Sequence, residues 1–146
     1  MIVADTGAIL ALLDADDRHH AVVRDLYLAD PDRWVVPWAV LPEVDYLARR
    51  AIGTDAARAF HDDVARGAFL VEWDGAADLT RAAELDRIYA DLGLGLVDAV
   101  VMAMAERLKA EAIATLDVRD FGAVTLRRPV KLLPRDLVPG GGPTDA

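Results

Sequence analysis

The chain has 146 residues, 54% of them hydrophobic and 28% charged, with 16 Lys+Arg against 25 Asp+Glu for a net charge of −9. This excludes intrinsic disorder and a general nucleic-acid-coating protein, which needs a basic surface to displace counterions. The absence of cysteine excludes disulfides, thiolate zinc sites and cysteine nucleophiles.

The opening Met1-Ile2-Val3-Ala4-Asp5 lacks the basic and apolar regions of a secretory signal. The longest apolar run, Val97 to Ala105, is interrupted by Asp98 and falls short of the roughly 18 residues that span a bilayer. A cytoplasmic protein with no membrane partner is expected. Met1 to Ala4 reads as a strand closed by Asp5, and Thr6-Gly7 turn the chain into a short helix over Ala8 to Leu13. A second helix is expected over Arg18 to Ala29, stopped by Pro31. Trp34-Val35-Val36 is a second strand ended by Pro37. The spacing of Val40, Leu41, Val44, Leu47 and Ala48 marks a helix with Pro42 in its first turn. Thr54 is expected to cap a helix over Asp55 to Arg66, Phe69 to Val71 to form a third strand, and Ala76 to Leu92 one long amphipathic helix. Val97 to Leu108, apolar nearly all round, reads as a buried central helix. Ala112 to Thr115 is a fourth strand. A last one lies within Val124 to Leu126 or Val130 to Leu133. Short apolar strands alternating with helices predict an α/β fold with a parallel sheet covered on both faces. One domain over 1–138 and a frayed Pro- and Gly-rich tail over 139–146 are expected.

Sites in parallel sheets form beyond the carboxyl ends of the strands. Asp5 and Asp117 each close a predicted strand, and Glu43 and Asp98 sit at helix starts, which point to the same rim. Each has an ordinary structural explanation: Asp5 as a helix cap, Glu43 as a favourable charge at a helix dipole, Asp117 as the start of a turn. Asp98 among Val97, Val100 and Val101 is the hardest to explain that way. Converging carboxylates repel unless some protonate or a cation binds, and oxygen donors without His or Cys suit Mg²⁺ or Mn²⁺. The chemistry inferred is metal-assisted phosphodiester hydrolysis, for which an acidic overall charge is no obstacle.

The order Val-Ala-Asp5-Thr6-Gly-Ala, Pro-Glu43-Val, Gly-Leu-Val-Asp98-Ala and Ala-Thr115-Leu-Asp117-Val-Arg-Asp120-Phe121 resembles the PIN-domain ribonucleases, and among them the VapC toxins of type II toxin–antitoxin modules. The likeness runs from Met1 to about Pro134. It implies a three-layer α/β/α fold and a Mg²⁺- or Mn²⁺-dependent endoribonuclease leaving a 5′-phosphate and a 3′-hydroxyl. It also implies an acidic quartet of Asp5, Glu43, Asp98 and Asp117 as catalytic metal ligands, Asp5 and Asp98 the most direct. Thr6 and Thr115 match hydroxyls that orient carboxylates or water, and Asp120 a further acidic position; Phe121 reads as core. A cognate VapB-type antitoxin and a homodimer follow from the same likeness, with the apolar helix faces between Val40 and Phe60 as a dimer surface.

For the RNA itself, the segment from Arg119 to Arg135 carries Arg119, Arg127, Arg128, Lys131 and Arg135 against Asp120, a local +4. Arg119, Arg127 and Arg128 are therefore expected to track phosphates beside the acidic rim, with Arg49-Arg50 as a second candidate pair. Trp34 and Trp38 are aromatic candidates for base stacking, although packing beside Pro42 explains them as well. His19-His20 reads as a surface helix start, and Tyr46 as a neighbour of Glu43. A haloacid-dehalogenase-like phosphatase is disfavoured because Gly7 stands where it needs a second Asp. A receiver domain is disfavoured because the third strand has no Asp at its end before Asp74. The surviving alternatives are a PIN nuclease of RNA processing with no antitoxin, and a PIN-fold RNA- or protein-binding module without catalysis.

Overall fold

The computed structural model describes residues 1–73 and 75–137. Five strands, β1 (Ile2–Ala4), β2 (Trp34–Pro37), β3 (Leu70–Glu72), β4 (Ala112–Ala114) and β5 (Lys131–Leu133), form one parallel sheet in the order β3-β2-β1-β4-β5. All three residues of β1 and of β4 are buried. Side chains alternate between faces along a strand, so both faces of the sheet centre are covered, which is why these strands are uniformly apolar.

The helices are α1 (Thr6–Leu13), α2 (His20–Ala29), α3 (Val40–Ala51), α4 (Thr54–Ala65), α5 (Ala76–Ile88), α6 (Gly95–Arg107) and α7 (Val118–Ala123). One group has α1 packed on α2 and α3, and α3 on α4; the other pairs α5 with α6. In α6 seven consecutive residues, Ala99 to Ala105, are buried, as expected for a helix held between the sheet and α5. From β1 the chain winds outward through β2 and β3, then returns to lay β4 on the opposite side of β1. In open α/β sheets such a reversal marks where binding sites form, at the carboxyl ends of the flanking strands, here β1 and β4.

Several local expectations are corrected. Thr54 lies inside α4, and Gly53 precedes the helix as its cap residue. The long helix expected to Leu92 ends at Ile88, followed by a 3-10 turn over Ala90–Leu92. Ile88, the last residue of the helix, is 65% exposed. The break lies at Tyr89, whose hydroxyl accepts a hydrogen bond from the Thr125 amide at 2.9 Å, a contact with no local signature. Of the two ranges for the last strand, the second holds it. The short α7 (Val118–Ala123) has no counterpart among the expected elements. The tail over 139–146 lies outside the described residues.

Candidate metal centre

The pairing of β1 with β4 sets Ala4 opposite Ala114, and the Asp5 amide donates to the Ala114 carbonyl at 2.9 Å. One residue beyond the ladder, the Thr115 hydroxyl therefore donates to Asp5 Oδ2 at 2.8 Å, a bond wholly buried. The Asp117 amide donates back to Thr115 Oγ1 at 3.1 Å. Thr115 thus ties the two strand ends together and leaves Asp5 Oδ1 buried without a partner.

Asp117 precedes α7 and caps it, its Oδ1 accepting from the Asp120 amide at 3.1 Å. This brings Asp120 back over the same rim. Asp98, in the first turn of α6, faces both: carboxylate oxygens of Asp98, Asp117 and Asp120 lie within 4.8 Å of one another. Asp120 therefore stands closer to the centre than a supporting position implies. The Asp117-Val-Arg-Asp120 spacing, a cap with an acid three residues on, is the signal for it.

Asp5 and Glu43 join this trio through their charges. Burial pushes the Asp5 carboxyl up to about 6 against the opposing Thr115 hydrogen bond, and the charges of Glu43 and Asp117 add to the rise. Burial and then the charges of Asp5, Asp117, Glu43 and Asp120 push Asp98 up to about 7. Five carboxylates from four separate parts of the chain act on one region. Among the described residues the only cation within ion-pair distance of any of them is Arg119, 3.8 Å from Asp120 and 83% exposed.

Four buried side-chain polar atoms lack a hydrogen-bond partner among the described residues: Asp5 Oδ1, Thr6 Oγ1, Asp120 Oδ1 and Trp34 Nε1. Three belong to residues expected in this site. Unpartnered oxygens beside mutually repelling carboxylates are groups that a bound cation would satisfy. The donor set, oxygen throughout, fits a hard divalent metal.

The basic residues do not gather here as expected. Because β5 runs parallel to β4, the chain after the Asp117 rim must cross to the amino edge of the sheet before β5 begins at Lys131. Arg127 and Arg128 accordingly sit at that far edge. The Arg127 amide donates to Glu106 at 2.7 Å, and Glu106 lies eight residues beyond Asp98 on α6. Only Arg119 stays near the acids. Arg49 pairs with Asp45 at 2.8 Å, and Arg50 donates to the Tyr46 hydroxyl at 2.9 Å. Trp34 is buried, edge-on to Tyr27 with ring centroids 5.5 Å apart. Trp38 stacks on Trp73 at 4.3 Å and lines an apolar cavity with Leu41 and Pro42. His20 bonds the Ala11 carbonyl at 2.7 Å.

A parallel sheet with an acidic cluster at its switch point defines a class of α/β metal-site proteins, and the comparisons place the chain within it. The PIN domain family matches residues 2–125, and the chain belongs to that family. It is similar to Ribonuclease VapC26 of Mycobacterium tuberculosis (strain ATCC 25618 / H37Rv), 36% identical over 123 residues, which are 84% of this chain and 91% of that protein. Among solved structures it resembles Mycobacterium tuberculosis VapC20, a Sarcin-Ricin loop cleaving toxin, with TM-score 0.76 and 23% identity over 88% of this chain and all of that one. It also resembles DNA-bound VapBC from Salmonella typhimurium, with TM-score 0.68 and 14% identity over 90% of this chain and 95% of that one. At these identities the structural likenesses speak for the fold.

Proposed function

We propose that the chain is a metal-dependent endoribonuclease toxin of the VapC type, hydrolysing RNA phosphodiester bonds and restrained by a VapB-type antitoxin. The observation that carries this reading is the cluster of Asp98, Asp117 and Asp120 on one rim, tied to Asp5 through Thr115, with buried oxygens left unpaired. The 36% identity to a named ribonuclease supports the same reading.

In this reading Asp5 and Asp98 hold the ion most directly, and Glu43, Asp117 and Asp120 complete the acidic set; Mg²⁺ or Mn²⁺ is the ion the oxygen donors favour. When bound, such an ion offsets charge on the scissile phosphate and makes a water molecule more acidic. Thr115 holds Asp5 in place from one side and the Asp117 loop from the other. Its hydroxyl is committed to both bonds, and the chain has no cysteine, so water rather than Thr115 or a thiol is the nucleophile. Thr6 supplies a second hydroxyl beside Asp5. The span 1–138 is the catalytic unit, and a homodimer is the working assembly. An acidic rim also explains antitoxin restraint, since a basic side chain presented by a peptide satisfies those carboxylates.

The test is cleavage of a structured RNA with Mg²⁺, with Mn²⁺ and with EDTA, by the wild type and by Asp98→Asn. Cleavage that needs the metal and vanishes in the variant supports the proposal. Metal-independent cleavage, or full activity in Asp98→Asn, overturns it.

A further inference from the structure

The far edge of the sheet, opposite the acidic rim, holds a second charged feature. A cavity of about 320 Å³ lies between the start of α5, the end of α6 and the segment before β5, walled by Arg81, Arg107, Lys109, Arg127 and Arg128 against Asp78 and Glu106. Two of the cations are locked. Arg81 pairs with Glu106 at 2.7 Å and Glu84 at 3.1 Å; Arg107 pairs with Asp78 at 2.8 Å and Glu72 at 3.2 Å. Against the raising effect of burial, Arg81 and the Arg127 amide hold Glu106 below its ordinary value, so this frame is charged and fixed at neutral pH.

The other three are not neutralised in this way. Lys109 and Arg128 make no ion pair among the described residues, and Arg127 has only Glu84, at 3.8 Å. All three are exposed. Lys109 also holds φ +52, the left-handed conformation that closes α6 and that glycine adopts without strain. Lys109 thus stands in a strained backbone position beside Arg128 and the weakly paired Arg127, a local cluster of cations in a chain of net charge −9.

We propose that this groove is a remote docking site for the phosphate backbone of the RNA substrate. The inference rests on the ribonuclease reading above. Point charges on long side chains, with no aromatic ring in the cavity wall, suit backbone rather than base recognition. Arg107 is nine residues from Asp98 on α6, about 14 Å along its axis, so an RNA cut at the rim reaches the groove only if it runs several nucleotides past the cut along the α5–α6 face. The groove therefore favours an RNA long enough to span both ends of α6, such as a stem-loop, over a very short single strand.

The experiment measures binding of a stem-loop RNA and of a tetranucleotide against salt, in an Asp98→Asn background with Mg²⁺ so that the RNA survives. Adding Lys109→Glu and Arg128→Glu is expected to weaken stem-loop binding on the order of tenfold and to reduce its salt slope by about 2. Tetranucleotide binding stays unchanged. Lys109→Gly relieves the backbone and raises Tm while lowering the stem-loop salt slope by about 1, which separates docking from folding. Unchanged stem-loop binding overturns the proposal, as does equal weakening for both RNAs, or loss of binding only to a Glu-rich peptide run in parallel. If the wild type cleaves no RNA yet stem-loop binding still depends on Lys109 and Arg128, the catalytic reading fails and the groove stands.

Discussion

Asp5 shows how much one residue's position can disclose. It closes a wholly buried strand, and a carboxylate there needs a partner or a cation; both the rim and the hard-metal chemistry follow from that and from the matching place of Asp117. The Thr115 bond, by contrast, depends on the register between β1 and β4, which no local pattern encodes. The energetic consequence is measurable. Asp5 and Asp98 titrate near 6 and 7 in the folded chain against 3.8 ordinarily. Between those values the folded state binds more protons than the unfolded one, so metal-free stability falls as pH rises from about 4 to about 7. Above that window the buried Asp5 carries a penalty of about 3 kcal/mol, and solvent screening holds the half-buried Asp98 to no more than about the same. Asp98→Asn removes its share: in EDTA the variant should melt above wild type at pH 8 and level with it near pH 4, by thermal unfolding. Thr115→Val keeps the shape but strips Asp5 and the Asp117 amide of their shared partner. It should cost about 1–3 kcal/mol in urea unfolding and lower the cleavage rate with it.

At the scale of elements, α6 was the most legible because its apolar residues run round the whole helix, and Ala99 to Ala105 are all buried. Its entry was less so. Two glycines, Gly93 at φ +61 and Gly95 at φ +77, turn the chain out of the 3-10 segment and aim the first turn, with Asp98, at the rim. A Cβ at Gly95 meets nothing within 4 Å, so the cost of Gly95→Ala is backbone strain alone, about 1–2 kcal/mol. Urea unfolding should show that loss. Initial cleavage rates at 25 °C, where the variant is still folded, should fall severalfold because Asp98 is re-aimed; an unchanged rate would mean the α6 entry does not set the site. The helix break at Tyr89 and the capped α7 escaped the sequence reading for one reason. Each is decided by a short polar contact, to Thr125 and within Asp117–Asp120, rather than by a long apolar repeat.

Over the whole molecule, topology separates two charged edges that the linear sequence runs together. Arg119 and Arg127 are close in sequence, but the parallel return to β5 places one near the acids and the other at the opposite end. A run of basic residues was legible; its destination required the strand order. The concentration of unpaired carboxylates at the other edge means that metal binding and folding are linked. A ligand that binds only the folded state stabilises it by about 2.7 kcal/mol at a hundred times its Kd, roughly 5–11 °C in Tm for a chain of this size. Mg²⁺ or Mn²⁺ should therefore raise Tm, and EDTA should return it. Protons compete for Asp5 and Asp98 below about 7, so the rise should be larger at pH 8 than at pH 5.5. Asp98→Asn should lose most of it while keeping its own higher metal-free Tm at pH 8. A rise of equal size in wild type and variant at both pH values would place the ion elsewhere on this acidic surface, because only a cation held by these carboxylates must exchange with the protons that otherwise relieve them.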